Sequence, residues 1–326
     1  MVQKVNGINQ DNRSRTDTEK KVDAGFIWLT QGFAWGIAAI LIIMALTVAW
    51  QAIPAFKAFN LGFLFTSAWN PQANDGQGLY GAFPTIYGTL VSSALALFIA
   101  VPLGLGTAIF LSEDFLPQKV RTVLTFMVEL LAAIPSVVYG LWGIFVLLPF
   151  IKPIEEFLGN NLGWIPLFNI PEGSRPGAPG MLPAGIVLAI MILPIITAIS
   201  RDSLASLPPE LRQASLGLGA TRWMTIFRVL IPAAFSGIVG GIMLGLGRAM
   251  GETMAATMLI GNSNTISFSL LAPANTIASL MANQFAEASG LQLSALMYAG
   301  VVLFILTLLV NIAAQWVVDR VQAKYQ

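Results

Sequence analysis

Residues 213–232 read QASLGLGATRWMTIFRVLIP, a polar, arginine-bearing stretch lodged between two strongly apolar segments. Just upstream, Ser206 precedes Pro208, Pro209 and Glu210. A small polar cap, prolines at the entry and an acid in the first turn are helix-start signals. The spacing predicts a short helix over 209–218 along the membrane surface, with Leu211, Ala214, Ser215 and Leu218 on one face. Gly217 and Gly219 end it, and Pro232 marks the entry to the next span. Such a helix suits a groove on another protein. Periodicity alone fits an ordinary amphipathic interfacial helix equally well.

The rest of the chain makes the bilayer its main solvent. Of 326 residues, 56% are hydrophobic and 10% charged, where a soluble domain carries about 25% charged. With no cysteine and no histidine, disulfides, thiolate chemistry, His-based metal sites and a Ser-His-Asp triad are excluded. A net charge of +1 gives no bulk basic character to point to nucleic acid. No cofactor is expected. The sequence holds no G-x-x-x-x-G-K-[ST] phosphate loop, so any ATP hydrolysis that drives this chain lies on another polypeptide, and the chain itself is read as non-enzymatic.

About 20 apolar residues cross a bilayer. The predicted fold class is an all-α membrane protein with six transmembrane helices, roughly 26–50, 83–112, 124–151, 182–201, 232–261 and 291–317. Residues 1–23 lack a signal-peptide core and are predicted to be a disordered cytoplasmic tail, which leaves 24–326 as the membrane domain and 203–232 as its main inner loop. Residues 262–290 are predicted to form a polar loop that dips into the membrane or lies on it. Trp69, Tyr80, Trp142 and Trp164 are placed as interfacial anchors. With both termini inside, the inner segments hold Lys4, Arg13, Arg15, Lys20, Lys21, Lys119, Arg121, Arg201, Arg212, Arg222, Arg228, Arg320 and Lys324. The outer segments hold only Lys57, Lys152 and Arg175. That bias predicts cytoplasmic termini and a cytoplasmic 213–232 loop.

Three intramembrane charges are candidates for a substrate pathway. Arg248 and Glu252 lie at i and i+4 in the segment RAMGE, so they share a helix face and can pair. A guanidinium offers a planar fork that matches phosphate or carboxylate oxygens. Arg248 is therefore read as a positive station for an anionic substrate, with Glu252 holding it or competing for it. A structural ion pair, or a charge near the outer interface, is the other reading. Glu129 is the third candidate. The neighbouring Gly245, Gly247 and Gly251 are read as helix-packing positions, with a substrate passage as the alternative.

The 213–232 stretch resembles the EAA motif of ABC importer permeases, in which E-A-A is followed after three residues by Gly and after nine more by I-x-L-P. Here Gln213-Ala214-Ser215, Gly219 and Val229-Leu230-Ile231-Pro232 keep every spacing. Gln213 departs from the family's Glu and removes a charge. The segments GAFPTIYGTL at 81–90, IAVPLGLGTAIFLSE at 99–113, ELLAAIPSVVYGLWG at 129–143 and GLGRAMGETMA at 245–255 extend the likeness to the phosphate importer permeases of the PstC type.

That resemblance implies a type I ABC importer permease with a MetI-like fold, in the bacterial inner membrane. It implies a homologous partner permease (PstA-like), an ATPase dimer (PstB-like) and a periplasmic phosphate-binding protein (PstS-like). It implies that Arg248 and Glu252 act in transport. The loop residues Glu210, Arg212, Gln213, Ala214, Ser215, Gly219 and Arg222 would couple the chain to the ATPase. A permease for molybdate or sulfate, and a secondary transporter working alone, stay open as alternatives.

Overall fold

The computed structural model describes residues 17–73 and 78–322. The chain divides into two units, Met1–Trp50 and Gln51–Gln326. Helix α1, Asp17–Phe59, runs through both. In the first unit its large side chains, among them Trp28, Phe33, Trp35 and Trp50, are exposed on every side. A helix apolar all round is a lipid-facing span. Asp17–Asp23, expected in the tail, instead form the first turns of this helix. The remainder of the expected tail lies outside the described residues.

In the second unit α1 leads through a 3₁₀ turn, Asn60–Leu64, to an antiparallel pair, β1 (Trp69–Asn70) and β2 (Leu79–Tyr80). Two expected anchors are corrected here. Tyr80 is buried, and its ring centroid lies 5.0 Å from that of Trp69, whose indole N–H donates to Gln284 Oε1 at 2.8 Å. Together with Phe63, stacked on Tyr298 at 4.5 Å, they form a packed aromatic cluster. Trp142 and Trp164 remain on the surface.

Helix α2 spans Phe83–Ser112 and α3 spans Gln118–Ala132. Then α4 (Ser136–Trp142), a π-helical turn (Gly143–Leu147) and α5 (Leu148–Leu162) join into one apolar span, Ser136–Leu162. The third span was expected at 124–151, and the difference has a local cause. Pro135 takes an extended backbone at the cap of α4 (φ −60°, ψ 142°) and disfavours the helical region for Ile134. The helix therefore breaks there, and α3 stands apart as a separate 15-residue amphipathic element with no buried residue.

Helix α6, Met181–Ala205, is the most enclosed span. The short helices α7 (Pro209–Gly217) and α8 (Arg222–Thr225), a π turn (Ile226–Leu230) and α9 (Ile231–Ala233) follow. Helix α10, Phe235–Met250, is bent by 71° from the segment Arg222–Ala233. A π turn and Pro232 just before the bend both interrupt regular helix hydrogen bonding. Among the described residues five helices are long and apolar enough to cross a membrane, or six if this bent pair counts as one. The fifth span was expected to run unbroken over 232–261. It stops at Met250 and restarts as α11, Met254–Leu259. Helices α12 (Ile277–Gln284) and α13 (Gly290–Gln322) complete the chain.

Small residues set the packing. Gly104 of α2 meets Ile196 and Thr197, and Gly185 meets Leu95, so α2 and α6 run parallel. Gly237, Gly241 and Gly245 of α10 meet Ser203, Ile199 and Ile196 in turn, so α10 runs antiparallel to α6. Lipid tails are as apolar as the side chains, so close backbone approach, not exclusion from water, holds such spans together.

The end of α11 and the buried part of the polar segment after it, from Ser269, lie against the start of α6. The carbonyls of Leu259, Leu270 and Ala272 accept from Gly180, Leu182 and Met181 at 2.8, 2.8 and 3.0 Å. The first N–H groups of a helix have no partner within it. This segment satisfies them, which is how irregular backbone is tolerated beside apolar helices. Thr89 of α2 does the same for the start of α12, accepting from Ile277 N at 3.0 Å.

Candidate functional site

Two groups of residues stand out, one within the spans and one at the end where α2 and α6 finish. Arg248 occupies the last turn of α10, where the helix dipole favours a cation. Its side chain is exposed in a cleft of about 630 Å³ bounded by Ile195 of α6, Asn311 of α13, and Gly240, Met243, Leu244 and Gly247 of α10. Among the described residues it has no carboxylate partner.

The expected Arg248–Glu252 pair is absent. Its geometry required a helix continuing through residue 252, and α10 ends at Met250 with Gly251 as its cap. Glu252 turns inward, is only 9% exposed, and accepts from Ala255 N at 3.2 Å. Its carboxylate thus satisfies an opening N–H of α11, competing with helix continuation. The expected packing glycines also divide. Gly245 packs against Ile196, whereas a Cβ on Gly247 would meet nothing within 4 Å.

Glu129 does not join this cleft. It lies on α3 with its side chain 57% exposed, 3.6 Å from Arg201, which also pairs with Asp202 at 2.8 Å. Arg201 is six residues beyond Ile195 on α6, about 9 Å along the axis. Exposed pairs of this kind contribute roughly 0–1 kcal/mol.

The second group surrounds α7. Its predicted limits, 209–218, match the observed Pro209–Gly217, although Pro208 rather than Ser206 holds the cap position. Arg212 points into the bundle. Its Nε and Nη2 lie 3.0 and 2.9 Å from Glu113 Oε1 at the end of α2, Nη2 donates to Leu204 O at 2.8 Å, and Nη1 to Leu207 O at 3.4 Å. Ser215, one turn on, exchanges a hydrogen bond with Thr225 of α8 at 2.9 Å. Arg212 and Ser215 therefore define the inward face, which corrects the expectation that Ser215 belongs to a free one. Glu210, Gln213, Ala214, Leu216 and Leu218 are exposed, Leu218 at 89%. Arg222 is exposed beside them and, with Arg212, Gln213 and Glu113, lines a groove of about 300 Å³.

Gly219 explains the fixed spacing after α7. Its φ is +85°, its N–H donates to Leu216 O at 3.0 Å, and Ala220 N donates to Ser215 O at 3.2 Å. This pair of bonds closes a Schellman motif, which needs a left-handed residue at that point. Thr221 then caps α8 by accepting from Met224 N at 3.3 Å. A Cβ on Gly219 would meet no neighbour, so the cost of replacing it is conformational alone, about 1–2 kcal/mol for Val and less for Asn. Gly219→Val is expected to destabilise the α7–α8 turn by about 1–2 kcal/mol, with Gly219→Asn closer to the parent, as read by a lowered thermal unfolding midpoint of the purified protein.

Glu113, Thr225 and Asn311 were not anticipated. Glu113 ends the quoted stretch 99–113, and an acid closing an apolar span is the signal that could have marked it. Nothing local in the sequence pairs it with Arg212, 99 residues later.

These features describe a helical membrane protein of several spans, with a short helix tied to the ends of two of them through Arg212. The chain belongs to the family described as binding-protein-dependent transport system inner membrane component, whose profile matches residues 100–325. It is 44% identical to the phosphate transport system permease protein PstC of Haemophilus influenzae, over 88% of each chain. It is 42% identical to the protein of the same name in Mesorhizobium japonicum, again over 88% of each. The fold is that of the type I ABC importer permeases. The inward-facing MetNI methionine ABC transporter superposes with a TM-score of 0.52 at 20% identity, covering 74% of this chain and 94% of that one. A bacterial ABC transporter involved in import of the acidic polysaccharide alginate gives 0.51 at 17% identity, covering 90% and 98%.

Proposed function

We propose that this chain is the permease subunit of an ATP-driven phosphate importer and forms half of its translocation path. One observation carries the reading: Arg248 stands in an open cleft between spans, with no carboxylate among the described residues to neutralise it. A charge within a span is costly and functional by default, and an unpaired guanidinium matches an anion with several oxygens. The name shared by the relatives at 42–44% identity supplies the anion, phosphate.

The free face of α7, with Glu210, Gln213 and Ala214, meets the ATPase, while Arg212 and Ser215 fix α7 to the bundle. The companions are a PstA-like permease, a PstB-like ATPase dimer and a PstS-like binding protein. Both termini and α7 are cytoplasmic, in line with the Lys/Arg bias. Closure of the ATPases on ATP displaces α7, Arg212 passes the displacement to α2 through Glu113, and the cleft around Arg248 opens inward. Phosphate moves without covalent chemistry on this chain. Glu252 supports the path from behind by holding α11, and Glu129 belongs with Arg201 at the cytoplasmic end.

In proteoliposomes, ATP hydrolysis by the complete complex is expected to rise with phosphate-loaded binding protein and to lose that stimulation when residues 213–219 are scrambled. Excess sulfate or molybdate is expected not to compete with labelled phosphate. Full-rate phosphate flux through the isolated chain without nucleotide would overturn the reading.

A further inference from the structure

Asn311 is the polar interruption of an apolar run on α13, within VVLFILTLLVNIAAQWVV at 301–318. Its carboxamide makes no hydrogen bond among the described residues, although an amide without a partner in a span is unfavourable. It is exposed, and it lines the same cleft as Arg248. It also lines a second cavity of about 340 Å³, with Ser236, Gly240, Gln315 and Val318. Ser236 lies at the start of α10, the end that carries α7–α9. Asn311 therefore stands at the junction of two cavities that lead from Arg248 toward the α7 end. Neither cavity is lined by a carboxylate. Gly240 is shared by both, and a Cβ there would meet nothing within 4 Å, so its missing side chain leaves the passage wide and serves no packing contact.

We propose that Asn311 is a second phosphate-contacting residue, one step inward of Arg248, which receives the anion through its carboxamide N–H groups as the guanidinium releases it. A neutral donor suits that position, because a second fixed cation would hold the anion while an amide binds it weakly enough to let it leave. This rests on the reading of Arg248 as the positive station.

The test uses the complete complex in proteoliposomes, with labelled phosphate uptake and ATP hydrolysis read together. Asn311→Leu is expected to lower uptake about 10-fold or more, the loss of a hydrogen bond to a charged group, with ATP hydrolysis retained, and Asn311→Gln to keep most of it. Asn311→Asp is expected to be worse at neutral pH and to recover, relative to the parent at the same pH, as acidification protonates the new carboxyl. A role in packing alone moves neither the Gln rescue nor the pH profile. The chain has no cysteine, so Asn311→Cys gives a second readout that does not depend on turnover. A negatively charged methanethiosulfonate is expected to label it from the aqueous phase, and more slowly when Arg248 is replaced by Gln. An inert cysteine, or Asn311→Leu transporting at the parental rate while Arg248→Gln is dead, overturns the role of Asn311 and leaves Arg248 in place. Parental uptake by Arg248→Gln overturns the station itself.

Discussion

Arg248→Glu is expected to reduce phosphate uptake by more than about 100-fold, because reversal turns an attraction of a few Å range into an equal repulsion in a medium that screens poorly. The complex should still assemble. Arg248 is exposed in its cleft and bonds to no carboxylate among the described residues, so the substitution strands no buried counter-charge. Arg248→Lys keeps the charge but loses the planar fork, and an intermediate loss of about 10-fold is expected for the bidentate contact. The decisive control is Glu252. Were the two residues an ion pair, the swap Arg248→Glu with Glu252→Arg would restore transport. The structure instead places the Glu252 carboxylate on Ala255 N at 3.2 Å, so the swap is expected to be worse than either single change. Uptake assays on Arg248→Glu, Glu252→Arg and the double swap, with co-purified subunits as the assembly check, decide between them. A rescued swap would show that the pair forms during transport and that the inward turn of Glu252 is one state of two.

What could be read from the sequence follows from which interactions are local. The limits of α7 were legible because proline, acid and glycine act on their own backbone, and Gly219 could be placed because a left-handed exit is a one-residue property (φ +85°). The long spans α1, α2, α6 and α13 were legible from apolar length. The third span was misplaced because the second half of α3, from Leu124, runs on into the apolar segment after it without a break in composition other than Glu129, and one backbone bend at Pro135 separates them. The break after Met250 was missed for a related reason: hydropathy continues across GETMA, while the helix is ended by a contest for N–H groups that composition does not display. At the site, Arg248 announced itself as a charge in an apolar run. Asn311 was passed over because a single uncharged amide leaves the run free of charge and long enough to span, and only the approach of α13 to α10 brings it to Arg248. The inward turn of Arg212 could not be read either, since its acceptors come from the ends of two other elements.

Arg212→Ala is expected to uncouple the transporter: ATP hydrolysis persists while phosphate moved per ATP falls several-fold. The guanidinium joins three backbones at once, α7 through its own Cα, α2 through Glu113 and α6 through Leu204 O. With side-chain exposures of 23% and 16%, the Arg212–Glu113 pair is largely but not fully withdrawn from water. Removing Arg212 is expected to cost about 2–4 kcal/mol, somewhat below a fully buried pair, because the Glu113 carboxylate loses its partner while Leu204 O loses its shortest bond and keeps only backbone donors such as Leu207 N at 3.4 Å. Lysine cannot replace it, since one ammonium cannot reach Glu113 Oε1, Leu204 O and Leu207 O in the fork geometry that arginine holds. The free face of α7 is untouched by the change, so ATPase capture should survive, and this distinguishes a broken transmission from a lost docking surface. Glu113→Gln should give the same phenotype more weakly, and a double-mutant cycle on the pair should show a coupling of the order of 1–3 kcal/mol in thermal stability. If Arg212→Ala still moved as much phosphate per ATP as the parent, the displacement of α7 would have to reach the bundle by another route. The remaining tie within this group is Ser215 to Thr225 at 2.9 Å, which would then carry it into the π turn and the 71° bend ahead of α10.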